Sequence, residues 1–352
     1  MAALNEEQVM LRDMAREWAD NESPVTAFRK LRDAGAGFDP AAWSAIGAMG
    51  WAGIVIPEEF GGSAFGYLSL GLVVEQLGRN LAATPLGSTA VAASAIAMGA
   101  SDKARNDWLP RLASGEAIAT LAIDEGPSHD MKFAASVSGG KLSGTKPFVA
   151  EAEGADAFVV AAADGLYLVA KGEGVTVAPR HMADSRSHAA VTFKDAPAER
   201  LGDSALTQAI VDRATAVTAA EMLGMAESGF RQTLDYLKQR VQFGQLLSSF
   251  QALQHRMAKM LTELELMRSA VEGALEAIDA GRSDVDQAVS LAKAIANDTL
   301  RLVSREMVQL HGGVGMTDEF DAGLFLKRSA VLEATCGTAS WHRDRFGRLN
   351  GY

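Results

Sequence analysis

A mainly α-helical fold interrupted by one small β region is predicted for this 352-residue chain by a change in hydrophobic period. Apolar residues recur at helical spacing up to about residue 118 and again from about 206, whereas 119–205 alternate between glycine-rich turns. The apolar stripes of the last third are broad, which predicts an up-and-down four-helix bundle rather than a two-stranded coiled coil. The expected organisation is an N-terminal all-α domain (1–118), an antiparallel, barrel-like β domain (119–205) and a C-terminal four-helix bundle (206–352).

Residues 4–21 carry Val9, Leu11, Met14, Ala15 and Trp18 at helical spacing, with Asn5 or a neighbour as the cap. Asp39 followed by Pro40 reads as an N-cap with proline in the first turn. Residues 57–62 form a loop by their Pro and Gly content, and the helical period resumes over 68–78. Ser138-Gly-Gly-Lys141 and Ala163-Asp-Gly165 predict hairpin turns, with strands over 157–161, 166–170, 175–178 and 189–193. In the last third, Leu223, Phe230, Leu234, Leu237 and Val241 mark one helix. Phe250, Leu253, Met257, Met260, Leu264, Met267 and Val271 mark the next. A third helix starts at a Ser283-Asp284 cap and runs to Leu310, where His311-Gly-Gly313 stops it, and a last one covers 324–348.

Composition narrows the function classes. There are 33 Lys+Arg against 44 Asp+Glu, a net charge of −11, and no basic run, which argues against nucleic acid or an anionic membrane as partner. The sole cysteine, Cys336, excludes an intramolecular disulfide and a Cys-based zinc site, and fits a reducing cytoplasm. The N-terminal segment lacks the basic and apolar regions of a signal peptide, and no apolar run is long enough to span a bilayer. A cytoplasmic location is expected.

Two short motifs stand where one long helix gives way to the next: Arg240-Val-Gln-Phe-Gly244 and Gln309-Leu-His-Gly-Gly-Val-Gly315. An arginine suits phosphate oxygens, and glycines let backbone N–H groups approach a ligand. Singly, Arg240 is also a solvated helix-end cation and the glycines a C-cap. Further fragments follow in order: Gly50-Trp-Ala-Gly53, Pro57-Glu-Glu59, Gly61-Gly62, Glu75-Gln-Leu-Gly-Arg79 and Gly144-Thr-Lys146.

With the helical–β–helical order, these motifs resemble the acyl-CoA dehydrogenase family, flavoenzymes that desaturate acyl-CoA thioesters, over nearly the whole chain. The resemblance implies FAD as cofactor. It also implies that Arg240, Gln242, Phe243, Gln251, Gln309, Gly312 and Gly313 clamp the adenosine half of an FAD held by the neighbouring subunit. Thr338 and Ser340, which follow Gly337, belong with these implied contacts. The ring side departs from the family. Its T-E-P-x-x-G-S-D loop reads Ile123-Asp-Glu-Gly-Pro-Ser-His-Asp130, keeping Asp130 and loosely Ser128. Its K-x-W-I-T reads Lys146-Pro-Phe-Val-Ala150, in which Phe148 can stack on a flavin but Ala150 has no hydroxyl for N5.

The base is missing. The family's E-G-T is Cys336-Gly-Thr338 here, and its other base position aligns near Ala214. The arginine that often contacts CoA is replaced by Thr215, with Arg213 two positions away from it by the same reckoning. Glu333, one helical turn before Cys336, is a weak substitute, and Glu221 and Glu227 lie near an apolar stripe; each reads first as a structural carboxylate. His255 and His311 stand near the clamp without metal-site spacing.

The favoured reading is a subunit of an α2β2 acyl-CoA dehydrogenase acting on a bulky acyl-CoA such as a steroid side-chain thioester. It lends its half-site to the FAD of a homologous, base-bearing chain, with an electron-transferring flavoprotein as acceptor. The alternatives are a homo-oligomeric dehydrogenase with a non-standard base, a flavin monooxygenase on the same fold, and a structural protein without flavin.

Overall fold

The cap expected at Asn5 forms: its side chain accepts the Gln8 N–H at 2.8 Å, and the Gln8 side chain returns the bond to the Asn5 N–H. The computed structural model describes residues 4–352; residues 1–3, part of the segment read as lacking a leader, lie outside them. The chain packs as two units. One holds the chain up to Val25, Gly71–Ala82 and Ala216–Tyr352, and the other holds Thr26–Leu70 and Ala83–Thr215.

The N-terminal helices are α1 (Glu6–Glu22), α2 (Val25–Ala34), α3 (Pro40–Ala48), α4 (Gly66–Arg79), α5 (Leu86–Gly99) and α6 (Asp102–Ala113). Asp39 caps α3 through the Ala41 N–H, with Pro40 at its start as expected. Helix α5 left no periodic signal because it is buried all round, from Thr89 to Ile96 without interruption.

The β region has strands β1 (Ala119–Ala122), β2 (Ser136–Ser138), β3 (Lys141–Ala150), β4 (Ala157–Ala162), β5 (Gly165–Ala170), β6 (Val175–Arg180), β7 (His188–Pro197) and β8 (Glu199–Gly202). Both expected hairpin turns are present, β2–β3 and β4–β5. The barrel-like expectation is corrected in one respect. The strands form two open four-stranded sheets, β1-β4-β5-β8 and β2-β3-β7-β6, and β1 pairs with β4 in parallel. Because β1 and β4 are not consecutive, no hairpin turn fixes their direction.

The C-terminal helices are α7 (Ser204–Gln239), α8 (Gln251–Asp279), α9 (Val285–His311), α10 (Ala322–Ala334) and α11 (Ala339–Leu349), with a minimal hairpin, β9 (Val241–Gln242) and β10 (Gln245–Leu246), between α7 and α8. Helix α9 is the centre, packed by α8, α10 and α11. Gly224 lets α7 meet α4 backbone to backbone, since a Cβ there would lie 1.8 Å from the Glu75 carbonyl oxygen.

Two expectations fail here. Residues 324–348 are not one helix: Cys336 (φ 55°) and Gly337 (φ 107°) turn the chain left-handed, and the Thr338 hydroxyl then caps α11. Asp284 stands at the start of α9 but does not cap it, because its carboxylate is taken by Arg282 at 2.8 Å.

Candidate functional site

The residues of the two long motifs meet at one end of the bundle. Tyr236, in the last turn of α7, stacks on His311, the last residue of α9, with ring centroids 4.3 Å apart. His311 also stacks on Phe320 at 4.3 Å, and its Nδ1 lies 2.7 Å from the Met307 carbonyl, an arrangement that leaves Nδ1 protonated. Burial of the ring pushes the His311 pKa below its ordinary value.

From Tyr236 the chain continues through Arg240 into the hairpin. Gln242 pairs with Gln245 and Val241 with Leu246, while Phe243 (φ 54°) and Gly244 (φ 79°) form the two-residue turn with both φ positive. The turn carries Phe243 outward, 89% exposed, with its ring edge-on to Phe250 at 6.2 Å. Arg240 and Gln242 are exposed, and no acceptor among the described residues engages the Arg240 guanidinium. Gln251 is the first residue of α8.

On the facing motif, Gln309 is exposed and Gly312 closes α9 with φ 65° and ψ −138°, a conformation essentially confined to glycine. Nothing lies within 4 Å of where a Cβ of Gly312 or Gly313 would be, so their backbone is open to approach. The bundle end thus offers an exposed cation, amide side chains, open glycine backbone and a projecting aromatic ring, groups suited to an adenosine phosphate.

The ring-side segment, in the other unit, is different in kind. Glu125 accepts the Ala134 and Ala135 N–H groups at 2.6 and 3.0 Å and receives Lys146 Nζ at 2.7 Å. Lys146 is fully buried and also donates to the Ile123 carbonyl at 2.7 Å. Burial lowers its pKa. Burial works to raise that of Glu125, but the Lys146 and backbone hydrogen bonds bring it below the ordinary carboxylate value. His129 Nδ1 lies 2.7 Å from Asp124 Oδ1, and the Arg180 guanidinium lies over the Phe148 ring at 5.3 Å. Asp124, Glu125 and His129 Nδ1 of this segment are thus engaged with neighbours inside the unit. In the sequence Lys146 stands out only as part of a short motif fragment, because a pairing 21 residues apart leaves no local signal.

At the base position Cys336 is buried, and the left-handed break is held from beneath. Lys293, fully buried on α9, donates to Asn297 Oδ1 at 2.7 Å, the Leu332 carbonyl at 2.9 Å and the Gly337 carbonyl at 3.3 Å. The Asn297 amide donates to Gly337 at 3.2 Å, and His342 Nε2 donates to the Cys336 carbonyl at 2.9 Å. Burial pushes the Lys293 amine down to about 7, against the opposing pull of Cys336 and Glu333.

Glu333 lies within α10 and receives the Ser329 hydroxyl at 3.1 Å, whereas Cys336 lies past the helix end. Glu221 is held by Arg328, whose Nε and Nη2 each donate to one carboxylate oxygen at 2.9 Å. Glu227 bonds Arg231 and Arg268, and although burial works to raise its pKa, the arginines bring it below the ordinary value. The carboxyl raised furthest is Glu75, to about 6 by burial, and it is tied to Arg268 at 2.9 Å. Ala214 is buried and carries no acid–base group.

Residues 5–116 match the sequence model of the acyl-CoA dehydrogenase N-terminal domain and residues 204–349 that of the C-terminal domain. The acyl-CoA dehydrogenase IpdE2 of Mycolicibacterium smegmatis is 30% identical over 328 residues, 93% of each chain. Acyl-CoA dehydrogenase FadE34 of Mycobacterium tuberculosis is 31% identical over 97% of this chain, which spans 48% of that longer protein. Among solved structures, a Tcur3481-Tcur3483 steroid ACAD G363A variant superposes with a TM-score of 0.93 at 31% identity, over 98% of both chains. The ChsE4-ChsE5 complex from Mycobacterium tuberculosis gives 0.93 at 26% identity over 100% of both.

Proposed function

This chain belongs to the acyl-CoA dehydrogenase family, and on that premise we propose that it is the base-lacking subunit of a heteromeric, FAD-dependent acyl-CoA dehydrogenase. Desaturation removes a proton from the α carbon and a hydride from the β carbon, so it needs a carboxylate base beside the flavin. The observation that carries the reading is the contrast between the two half-sites. The residues at the bundle end are exposed and uncommitted, whereas on the ring side Asp124 and Glu125 are already engaged by His129 and Lys146, and Cys336 and Ala214 stand at the expected base positions.

In this reading Arg240 meets the pyrophosphate. Gln242, Phe243, Gln251, Gln309, Gly312 and Gly313 hold the adenosine of an FAD whose isoalloxazine is bound by a homologous partner chain. Thr338 and Ser340, at the start of α11, complete the expected contacts. The partner supplies the Glu and the thioester pocket, and FAD, when bound, supplies the hydride acceptor. The steroid ACAD among the similar structures supports a bulky acyl-CoA as substrate. Reoxidation falls to an electron-transferring flavoprotein, a role that rests on family resemblance. No described helix is long and apolar enough to cross a membrane.

The test is flavin content. The chain purified alone is expected to be colourless, and the chain co-purified with a base-bearing homologue yellow, with about one FAD per unlike pair. A chain that is yellow alone and bleached by an acyl-CoA overturns the reading. Glu333→Gln then identifies the base, since loss of turnover in that variant assigns the role to Glu333.

A further inference from the structure

The outward face of α9 carries Leu291, Asp298, Arg301, Arg305 and Gln309, all exposed and three, four or seven residues apart, which places them in one line along the helix. Asp298 is committed to Arg343. Glu306, beside Arg305 in sequence, is committed to Arg256 at 2.6 Å. The Arg301 and Arg305 side chains have no acceptor among the described residues, and the two residues stand about one turn apart on α9. Like charges at that spacing disfavour the helix slightly, so the helix itself gains nothing from this pair. Arg305 lies one turn below Gln309, roughly 6 Å along the axis, and Arg301 roughly 12 Å below it.

We propose that Arg301 and Arg305 extend the bundle-end site into a track for the phosphates of an adenosine nucleotide, with Arg305 in direct contact and Arg301 strengthening the local field. A guanidinium binds phosphate oxygens through two parallel N–H bonds, which suits Arg305 to direct contact. The inference rests on the reading of Gln309, Gly312 and Gly313 as an adenosine site. Two sources share this chemistry: the pyrophosphate of a flavin dinucleotide and the adenosine 3′,5′-bisphosphate of coenzyme A.

The experiment is calorimetric titration of the full-length chain with ADP and, separately, with adenosine 3′,5′-bisphosphate, for the wild type, Arg301→Gln/Arg305→Gln and Arg240→Ala. The substituted side chains are exposed, and circular dichroism checks that each variant is folded. The double variant is expected to weaken binding of one probe at least tenfold and to flatten its dependence on salt. Stronger loss with ADP assigns the track to the dinucleotide, and stronger loss with the bisphosphate assigns it to coenzyme A. Binding within twofold of wild type in the double variant, with Arg240→Ala impaired, overturns the track and leaves the clamp standing. If neither variant changes binding, or the wild type binds neither probe, both assignments fall.

Discussion

Lys146 and Glu125 form an ion pair, Nζ to Oε1 2.7 Å, in which the lysine side chain has no solvent exposure. It ties the 123–135 segment to β3, and the two partners are not equivalent. Glu125→Ala leaves a buried ammonium with the Ile123 carbonyl as its one hydrogen-bond acceptor and the Phe133 ring 4.9 Å away, so a loss of about 3–5 kcal/mol is expected in urea unfolding. Lys146→Met leaves a partly exposed carboxylate still bonded to two N–H groups and is expected to cost less. The reverse order would mean that the lysine, not the glutamate, organises the segment. The folded Glu125 pKa lies below its unfolded value. Its stabilisation is therefore present above about pH 4.3 and is lost as pH falls through the folded value.

Lys293 makes the opposite statement about pH. Its folded pKa of about 7 lies below the unfolded value of about 10.4, so between these the unfolded chain holds a proton that the folded chain lacks. Stability of the wild type relative to Lys293→Met is expected to rise across that window, at about 1.4 kcal/mol per pH unit. Paired urea titrations at several pH values measure it. A flat difference would show that the three acceptors keep the amine charged throughout.

Gly337 is required by the break between α10 and α11. Its φ is 107°, and a Cβ would lie 2.9 Å from both His342 Nε2 and Trp341 Cε3. Gly337→Ala is expected to destabilise by about 1–3 kcal/mol. Thermal unfolding checks this, and an unchanged midpoint would mean that the turn can relax without cost.

Arg240→Ala and Phe243→Ala alter exposed side chains and are expected to leave the fold of the chain intact. In the assembled complex, flavin content and turnover are expected to fall with either substitution, more steeply for Arg240 because it is assigned to the pyrophosphate. Full flavin occupancy in both variants would remove the hairpin from the cofactor site.

Helix period, turn chemistry and glycine placement are local properties, and they made the helical–β–helical order, the Asn5 and Asp39 caps and both glycine hairpins legible from the sequence. The motifs around Arg240 and Gln309 were legible for the same reason, because each is short and contiguous. What depends on distant partners was not. The parallel β1–β4 pairing, the Lys146–Glu125 pair and the Arg328–Glu221 fork, 107 residues apart, arise from packing. The break at Cys336-Gly337 belongs with these, although Gly337 was in view. A glycine in a helical pattern is tolerated as often as it terminates, and here Lys293, Asn297 and His342, from α9 and α11, hold the left-handed turn. Which groups the chain carries is legible in its residue order. Which of them are already satisfied depends on packing, because a buried charge must find its partner wherever the fold places one.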